Sequence, residues 1–295
     1  MKIIRYRNKK IILFIVLIML IVFCISMQSC NGLSVSKPKE ETVSDRKAAT
    51  ESQEIESSEG ESASDESYNT SETVTGEDTG VTPEKIKNGE VTFLTEDGKE
   101  LNGNIFGQGN KWVILSHMYP TDQTGWFDFA GDLAKNGYVA FTFDFRGYGK
   151  SKGSKDDLGN IYKDILAAIA LARTYGSAKI FLVGASMGGT ASIIAASKDN
   201  DINGIVSLAA PDKMGNDLDA ISVVSGLKMP KIFISAIGDE HHAESARKLY
   251  EEAVEPKVLE IMENSFEHGT FIFEKEPENA ERLKSIILNF LDSVQ

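Results

Sequence analysis

Six short apolar runs, separated by segments with helical spacing, constrain the fold more than any other feature of this chain. They are "KWVILSH" (111–117), "YVAFTFDFRG" (138–147), "AKIFLVGAS" (178–186), "INGIVSLAAP" (202–211), "PKIFISAIG" (230–238) and "KVLEIME" (257–263). The runs are near-continuously apolar rather than alternating, the pattern of strands covered on both faces of a parallel sheet. Helices are expected over "GWFDFAGDLAKNG", "NIYKDILAAIALARTYG", a segment from Gly188, "AESARKLYEEAVE" and the terminal "NAERLKSIILNFLDSV". Upstream, "EVTFLTEDG" and "KELNGNIFG" meet at Asp97-Gly98, a turn signal that predicts a hairpin. The expectation is one α/β domain over residues 83–295, a doubly wound and mostly parallel sheet. Between Pro211 and Pro230 lies only "DKMGNDLDAISVVSGLKM". It has room for about one short helix, so no large cap domain is expected.

The chain ahead of this domain has a different composition. Residues 1–10, "MKIIRYRNKK", carry five basic side chains, and "IILFIVLIMLIVFCISM" follows as an apolar stretch. A basic start and a long apolar region predict a signal peptide over residues 1–29. The length also approaches that of a spanning helix, which leaves an uncleaved N-terminal signal anchor as the alternative. Either reading places the rest of the chain outside the cytoplasm. "SMQSC", ending at Cys30, resembles a bacterial lipobox, which implies lipidation of Cys30 and a membrane partner through that anchor.

Residues 30–82 then read as a tether. From 31 to 82 there are 13 acidic and 4 basic residues, a net charge of −9, among many Ser and Thr. Such a segment cannot bury enough apolar area to offset its ordering entropy. As a flexible coil it spans roughly 40 Å, and self-repulsion extends it further. Removing the +5 of the first thirty residues from the chain's −13 leaves −18 for the mature protein. That charge disfavours nucleic acid as a partner. After cleavage Cys30 is the one remaining thiol, so no disulfide within the chain supports the fold.

The chemistry centres on Gly184-Ala185-Ser186-Met187-Gly188, a G-x-S-x-G pentapeptide. Small residues often collect at strand ends, but this one stands between an apolar run and a helical segment, the strand–turn–helix setting of a nucleophile elbow. A serine hydroxyl needs a base, and four histidines are present: His117, His241, His242 and His268. Chain order of serine, acid, histidine selects His268. Asp239, at the end of "IFISAIGD", is the expected acid, with Glu240 and Asp212 as rivals. Glu240-His241-His242 raises the thought of a metal. Consecutive side chains diverge on a regular backbone and no further ligand spacing is visible, so it reads as a polar helix start.

With these residues in hand, the region from about Glu90 to Gln295 resembles the α/β-hydrolase family, close to its dienelactone-hydrolase-like and serine-esterase branches. "LSHMYP" resembles the family's His-Gly-x oxyanion loop, with Met118 where glycine is usual, and "DFRGYGKSKG" resembles its Asp-x-Arg-Gly-x-Gly-x-Ser turn. The resemblance implies a triad of Ser186, Asp239 and His268, with the backbone N–H groups of Met187 and Tyr119 as oxyanion donors. It implies that His117, Asp144, Arg146 and Ser151 support loops. It also implies acyl transfer from a small-molecule ester to water, through an acyl-enzyme, with no metal or organic cofactor required. A peptidase on the same triad, and a surface binding protein that keeps the fold without its chemistry, stand as alternatives. Nothing in the sequence specifies the oligomeric state.

Overall fold

The computed structural model describes residues 87–294. The expected signal peptide (1–29), Cys30 and the tether (30–82) lie outside the described residues. Within them, eight strands form one sheet: β1 Gly89–Leu94, β2 Glu100–Phe106, β3 Lys111–Ser116, β4 Val139–Phe143, β5 Lys179–Ala185, β6 Gly204–Leu208, β9 Lys231–Ala236 and β10 Lys257–Met262; the two short strands β7 Lys213–Met214 and β8 Leu218–Asp219 pair separately. The order across the sheet is β1-β2-β4-β3-β5-β6-β9-β10. β2 is antiparallel to both β1 and β4, and every other neighbouring pair is parallel.

Among the described residues six α-helices accompany the strands, the last two after β10: α1 Phe127–Lys135, α2 Ile161–Thr174, α3 Met187–Lys198, α4 Glu240–Glu252, α5 Phe271–Lys275 and α6 Pro277–Ser293. Alternation along each strand divides the core in two. In β5, Ile180 and Leu182 join one apolar cluster with residues of α2, α3 and α4, whereas Phe181 and Val183 join the other with residues of α1 and α6. Both faces of the sheet are therefore covered, which is why the strand sequences contain so few polar residues. Ten of the twelve residues of α3 are buried, and its run of Gly, Ala and Ser lets it sit close against the sheet. α6 instead buries one stripe, Ala280, Leu283, Ile287, Phe290 and Leu291, at helical spacing.

Two local expectations are corrected. The interval before Pro230 forms the β7–β8 ribbon and a single 3-10 turn at Val224–Gly226 rather than an α-helix. Gly215, at φ 58°, makes the tight reversal that closes this ribbon. The run "YVAFTFDFRG" is strand only to Phe143, because Asp144 turns away to accept hydrogen bonds from Gln123 and Lys150. No large cap stands over the sheet in the described residues. Among those residues no helix is long and apolar enough to cross a membrane.

Candidate active site

β3 leads into α1 on one face of the sheet, and its neighbour β5 leads into α3 on the other. Their carboxyl ends therefore diverge, leaving the kind of crevice in which open α/β sheets bind ligands. Ser186 sits there, between the last residue of β5 and the first of α3, with φ 50° and ψ −121°. Positive φ at a residue other than glycine costs energy and persists only where surrounding bonds impose it. Ser186 N–H donates to the Leu208 carbonyl at 2.8 Å, and the Ser186 carbonyl accepts from Gly189 N–H at 2.9 Å. The flanking glycines are required by close approach. A Cβ at Gly184 would overlap the Gly188 carbonyl, and one at Gly188 would lie 2.5 Å from the Ser116 and His117 carbonyl oxygens.

Met187 opens α3, so its N–H belongs to the first turn, where the helix supplies no acceptor. Across the crevice, the loop after β3 is held by His117. This ring is fully buried; its Nε2 accepts from Phe145 N–H at 3.1 Å, so Nδ1 carries the proton and donates to the Met118 carbonyl at 3.0 Å. Burial pushes the His117 imidazole below its ordinary pKa and outweighs the bond to Met118. The Thr121 hydroxyl donates to the same carbonyl at 2.9 Å. Tyr119 thus follows a fixed peptide, with its side chain exposed at the rim.

Asp239 and His268 lie beyond β9 and β10. His268 Nδ1 donates to Asp239 Oδ2 at 2.7 Å, which fixes the proton on Nδ1 and leaves Nε2 as the basic nitrogen. Gly269, next in sequence to His268, packs against Met118 and Ala185; a Cβ there would lie 3.6 Å from that of Ala185. This contact brings the His268 loop to the elbow. No hydrogen bond among the described residues joins Ser186 Oγ to His268; such bonds are commonly long without substrate and tighten when it binds. The rival acid Asp212 is engaged elsewhere, accepting from Ser245 Oγ at 2.6 Å.

Asp239 has a second imidazole partner: His242 Nδ1 donates to Oδ1 at 2.7 Å. Burial alone would push this carboxyl up, but hydrogen bonds from His242 and His268 outweigh it and hold the group well below the usual carboxylate range. Donor atoms of Asp239, His242 and His268 lie within 4.8 Å of one another, close enough to raise the possibility of a metal ion. Ligands around tetrahedral zinc, at about 2.0–2.1 Å from the ion, stand roughly 3.3 Å apart. The 2.7 Å separations from carboxylate to imidazole are hydrogen-bond distances, so the cluster is a carboxylate shared by two rings. A cavity of ≈ 570 Å³ bounded by Ser197 and Leu227 adjoins the far end of α3. Its distance from Ser186, about 17 Å along the helix, removes it from this chemistry.

Residues 108–270 match the family described as serine aminopeptidase, S33. The chain belongs to this family. A monoglyceride lipase homolog of Monkeypox virus is 30% identical over 103 residues, 34% of this chain and 37% of the relative. A 2-hydroxy-6-oxononadienedioate/2-hydroxy-6-oxononatrienedioate hydrolase of Escherichia coli is 37% identical over 111 residues, 34% of this chain and 36% of the relative. The chain thus spans little more than a third of the length of these curated relatives. In structure it is similar to an esterase of Pyrococcus furiosus, with a TM-score of 0.61 and 21% identity over 70% of this chain and 91% of the other. It is also similar to a monoacylglycerol lipase of Paleococcus ferrophilus, with a TM-score of 0.57 and 20% identity over 66% of this chain and 99% of the other. These structural likenesses establish the α/β-hydrolase fold.

The remaining motif residues of the chain brace its loops. Asp144 accepts from Gln123 N–H at 3.0 Å and from Lys150 N–H at 3.0 Å, while Ser151 Oγ donates to the Asp144 carbonyl at 2.6 Å. Arg146, fully buried, pairs with Asp164, Asp97 and Asp157 at 2.7, 2.8 and 2.6 Å. His242 is the residue that sequence reasoning missed. The signal was its three-residue offset from Asp239, which on the first turn of a helix returns a side chain over the N-cap.

Proposed function

We propose that the chain is an extracytoplasmic carboxylic ester hydrolase working through Ser186, His268 and Asp239. What supports this reading above all is the 2.7 Å Asp239–His268 bond at the sheet edge that carries the strained Ser186. In the reaction, Ser186 Oγ attacks the ester carbonyl carbon while His268 Nε2 takes its proton. Asp239 holds the imidazole orientation and stabilises the imidazolium. The negative oxygen is received by the N–H groups of Met187 and Tyr119. Collapse breaks the C–O bond, and His268 returns the proton to the departing alcohol. Water, activated by the same nitrogen, then releases the acid from the acyl-enzyme and restores Ser186.

The substrate is proposed to be a short acyl ester, of about two to six carbons. Only the ribbon and 3-10 turn stand in the interval where a cap would be inserted, and exposed Tyr119, Ile237 and Phe266 follow the ends of β3, β9 and β10. A shallow apolar rim covers part of a chain, and each further methylene contributes about 0.8 kcal/mol only where it is buried. With p-nitrophenyl esters, kcat/KM is expected to level off by about six carbons; a rise continuing through twelve would contradict this reading. The family description favours one second reading, a peptidase on the same triad. Amino-acid p-nitroanilides cleaved faster than the esters would establish it.

The branch of the fold closest to dienelactone hydrolases, with serine replacing their cysteine, remains part of this proposal. So does placement at the outer face of a membrane, with Cys30 lipidated and residues 31–82 as spacer. Its support is the basic start, the apolar stretch and Ser29-Cys30. Intact-mass measurement of the native protein tests it. A diacylated chain beginning at Cys30 is expected, whereas one retaining Met1 would make the segment a signal anchor.

A further inference from the structure

We propose that His242 is a positioning residue for the triad acid: it shares the Asp239 carboxylate with His268 and holds that carboxylate in the orientation the His268 ring needs. The inference rests on the triad reading above. Asp239 is the N-cap of α4, a position where aspartate ordinarily accepts from the helix's own N–H groups, yet its side chain makes no capping bond. Both carboxylate oxygens face imidazoles instead, His242 at Oδ1 and His268 at Oδ2, each at 2.7 Å. All three side chains are largely shielded, with 14% of Asp239, 22% of His242 and 25% of His268 exposed. The two rings lie 4.2 Å apart between centroids, tilted by 44°.

A second donor on Oδ1 prevents the carboxylate from rotating about its Cβ–Cγ bond, so Oδ2 stays aimed at His268. The titratable neighbours of His242 are Asp239, His268 and His241, whose ring centroid is 5.2 Å away. One turn along α4, Ser245 holds Asp212, and Lys248 pairs with Glu244.

The test measures kcat and kcat/KM for p-nitrophenyl acetate from pH 4.5 to 9 in the full chain, its His242→Phe variant and its His242→Asn variant. Phenylalanine keeps the ring volume without a donor; asparagine places an amide N–H near the position of Nδ1 without a titrating group. His242→Phe is expected to lower plateau kcat about tenfold with KM within about twofold. His242→Asn is expected to recover most of the plateau kcat. A His242→Phe enzyme with wild-type kcat would overturn the proposal. Should that variant fail to fold, His242→Gln replaces it: its N–H stands nearer the position of Nε2, so kcat equal to that of His242→Asn would be contrary. Downfield proton NMR reads the sharing independently of turnover. Beside the Nδ1–H of buried His117, two further imidazole Nδ1–H resonances are expected, one lost in His242→Asn and the other in His268→Asn; only one such further resonance would refute the shared carboxylate even if Ser186 proved not to be the nucleophile.

Discussion

His117 and His268 both follow parallel strands at the carboxyl edge of the sheet, on either side of Ser186, yet their surroundings divide them. His117 is wholly buried, and both of its nitrogens are committed to backbone groups, Phe145 N–H and the Met118 carbonyl. His268 is a quarter exposed; its Nδ1 is bound to Asp239, and no partner among the described residues engages its Nε2. A ring with both nitrogens satisfied can hold a loop but has no nitrogen available for proton exchange. A ring anchored on one side by a carboxylate has a basic nitrogen left to use. Fold position alone does not distinguish the two rings; the remaining hydrogen-bond capacity does.

The sharpest way to break this contrast is to remove the groups proposed to react. Ser186→Ala and His268→Ala are each expected to lower kcat for an aryl ester by several orders of magnitude, because nucleophile and base act as a unit. Asp239→Asn is expected to cost on the order of 10⁴-fold by favouring the wrong tautomer. Steady-state assays check all three, and a His268→Ala enzyme with near-normal turnover would remove the distinction between the two histidines.

Substitution at His117 should register mainly in stability. His117→Ala leaves a buried N–H and a buried carbonyl without their partner, at about 1–3 kcal/mol each, whereas glutamine retains one donor and one acceptor. Urea unfolding is expected to show a large loss for alanine and a smaller one for glutamine, with kcat changed far less than in His268→Ala. A kcat loss as large as that of His268→Ala, in a folded enzyme, would mean that His117 takes part in the chemistry.

A pH series sharpens the contrast further. Burial lowers the His117 pKa in the folded state, so below about pH 6.5 the unfolded chain binds the extra proton first. The stability that the neutral ring contributes is present above that pH and is lost on acidification toward the lower folded pKa, at no more than about 1.4 kcal/mol per pH unit. Unfolding free energy should fall more steeply with acid in the wild type than in His117→Gln; parallel curves would contradict the assignment.

The smallest effects are expected from changes outside this contrast. Asp212→Asn should leave turnover within a few-fold, since Asp212 is held by Ser245 rather than by His268. Dialysis against EDTA should leave it unchanged. A severe Asp212→Asn defect would move the acid to the preceding strand, and loss of activity on chelation would turn the shared carboxylate into a metal centre.

The sheet was legible in the sequence because strands buried on both faces leave a signature that does not depend on partners, as "KWVIL" and "KIFLV" show. The elbow was legible because the close approach of α3 to β3 and β5 demands glycine at 184 and 188. Strand-end position also made Asp239 and His268 candidates, and the structure brings those two together. Less was legible where local pattern and tertiary contact disagree. "AISVVSGL" has helical spacing, but Ala220 and Ile221 N–H donate back to the Asp212 carbonyl, and the chain closes as a ribbon. The short α5, with "FIFEK", has apolar residues too few and too close together to declare a helix. His242 was hidden for a different reason: its bond to Asp239 crosses the start of a helix and is signalled by the three-residue spacing, which residue type at a single position does not encode.

The central claim is that Ser186 is a nucleophile activated by His268, and active-site labelling tests it most directly. The full chain would be treated with a fluorophosphonate and the adduct mapped by peptide mass spectrometry, alongside His268→Ala. A single adduct on Ser186, formed in the wild type and slowed by orders of magnitude in the variant, is the predicted result. Labelling at another residue, or no labelling of a folded enzyme that still cleaves esters, would contradict it.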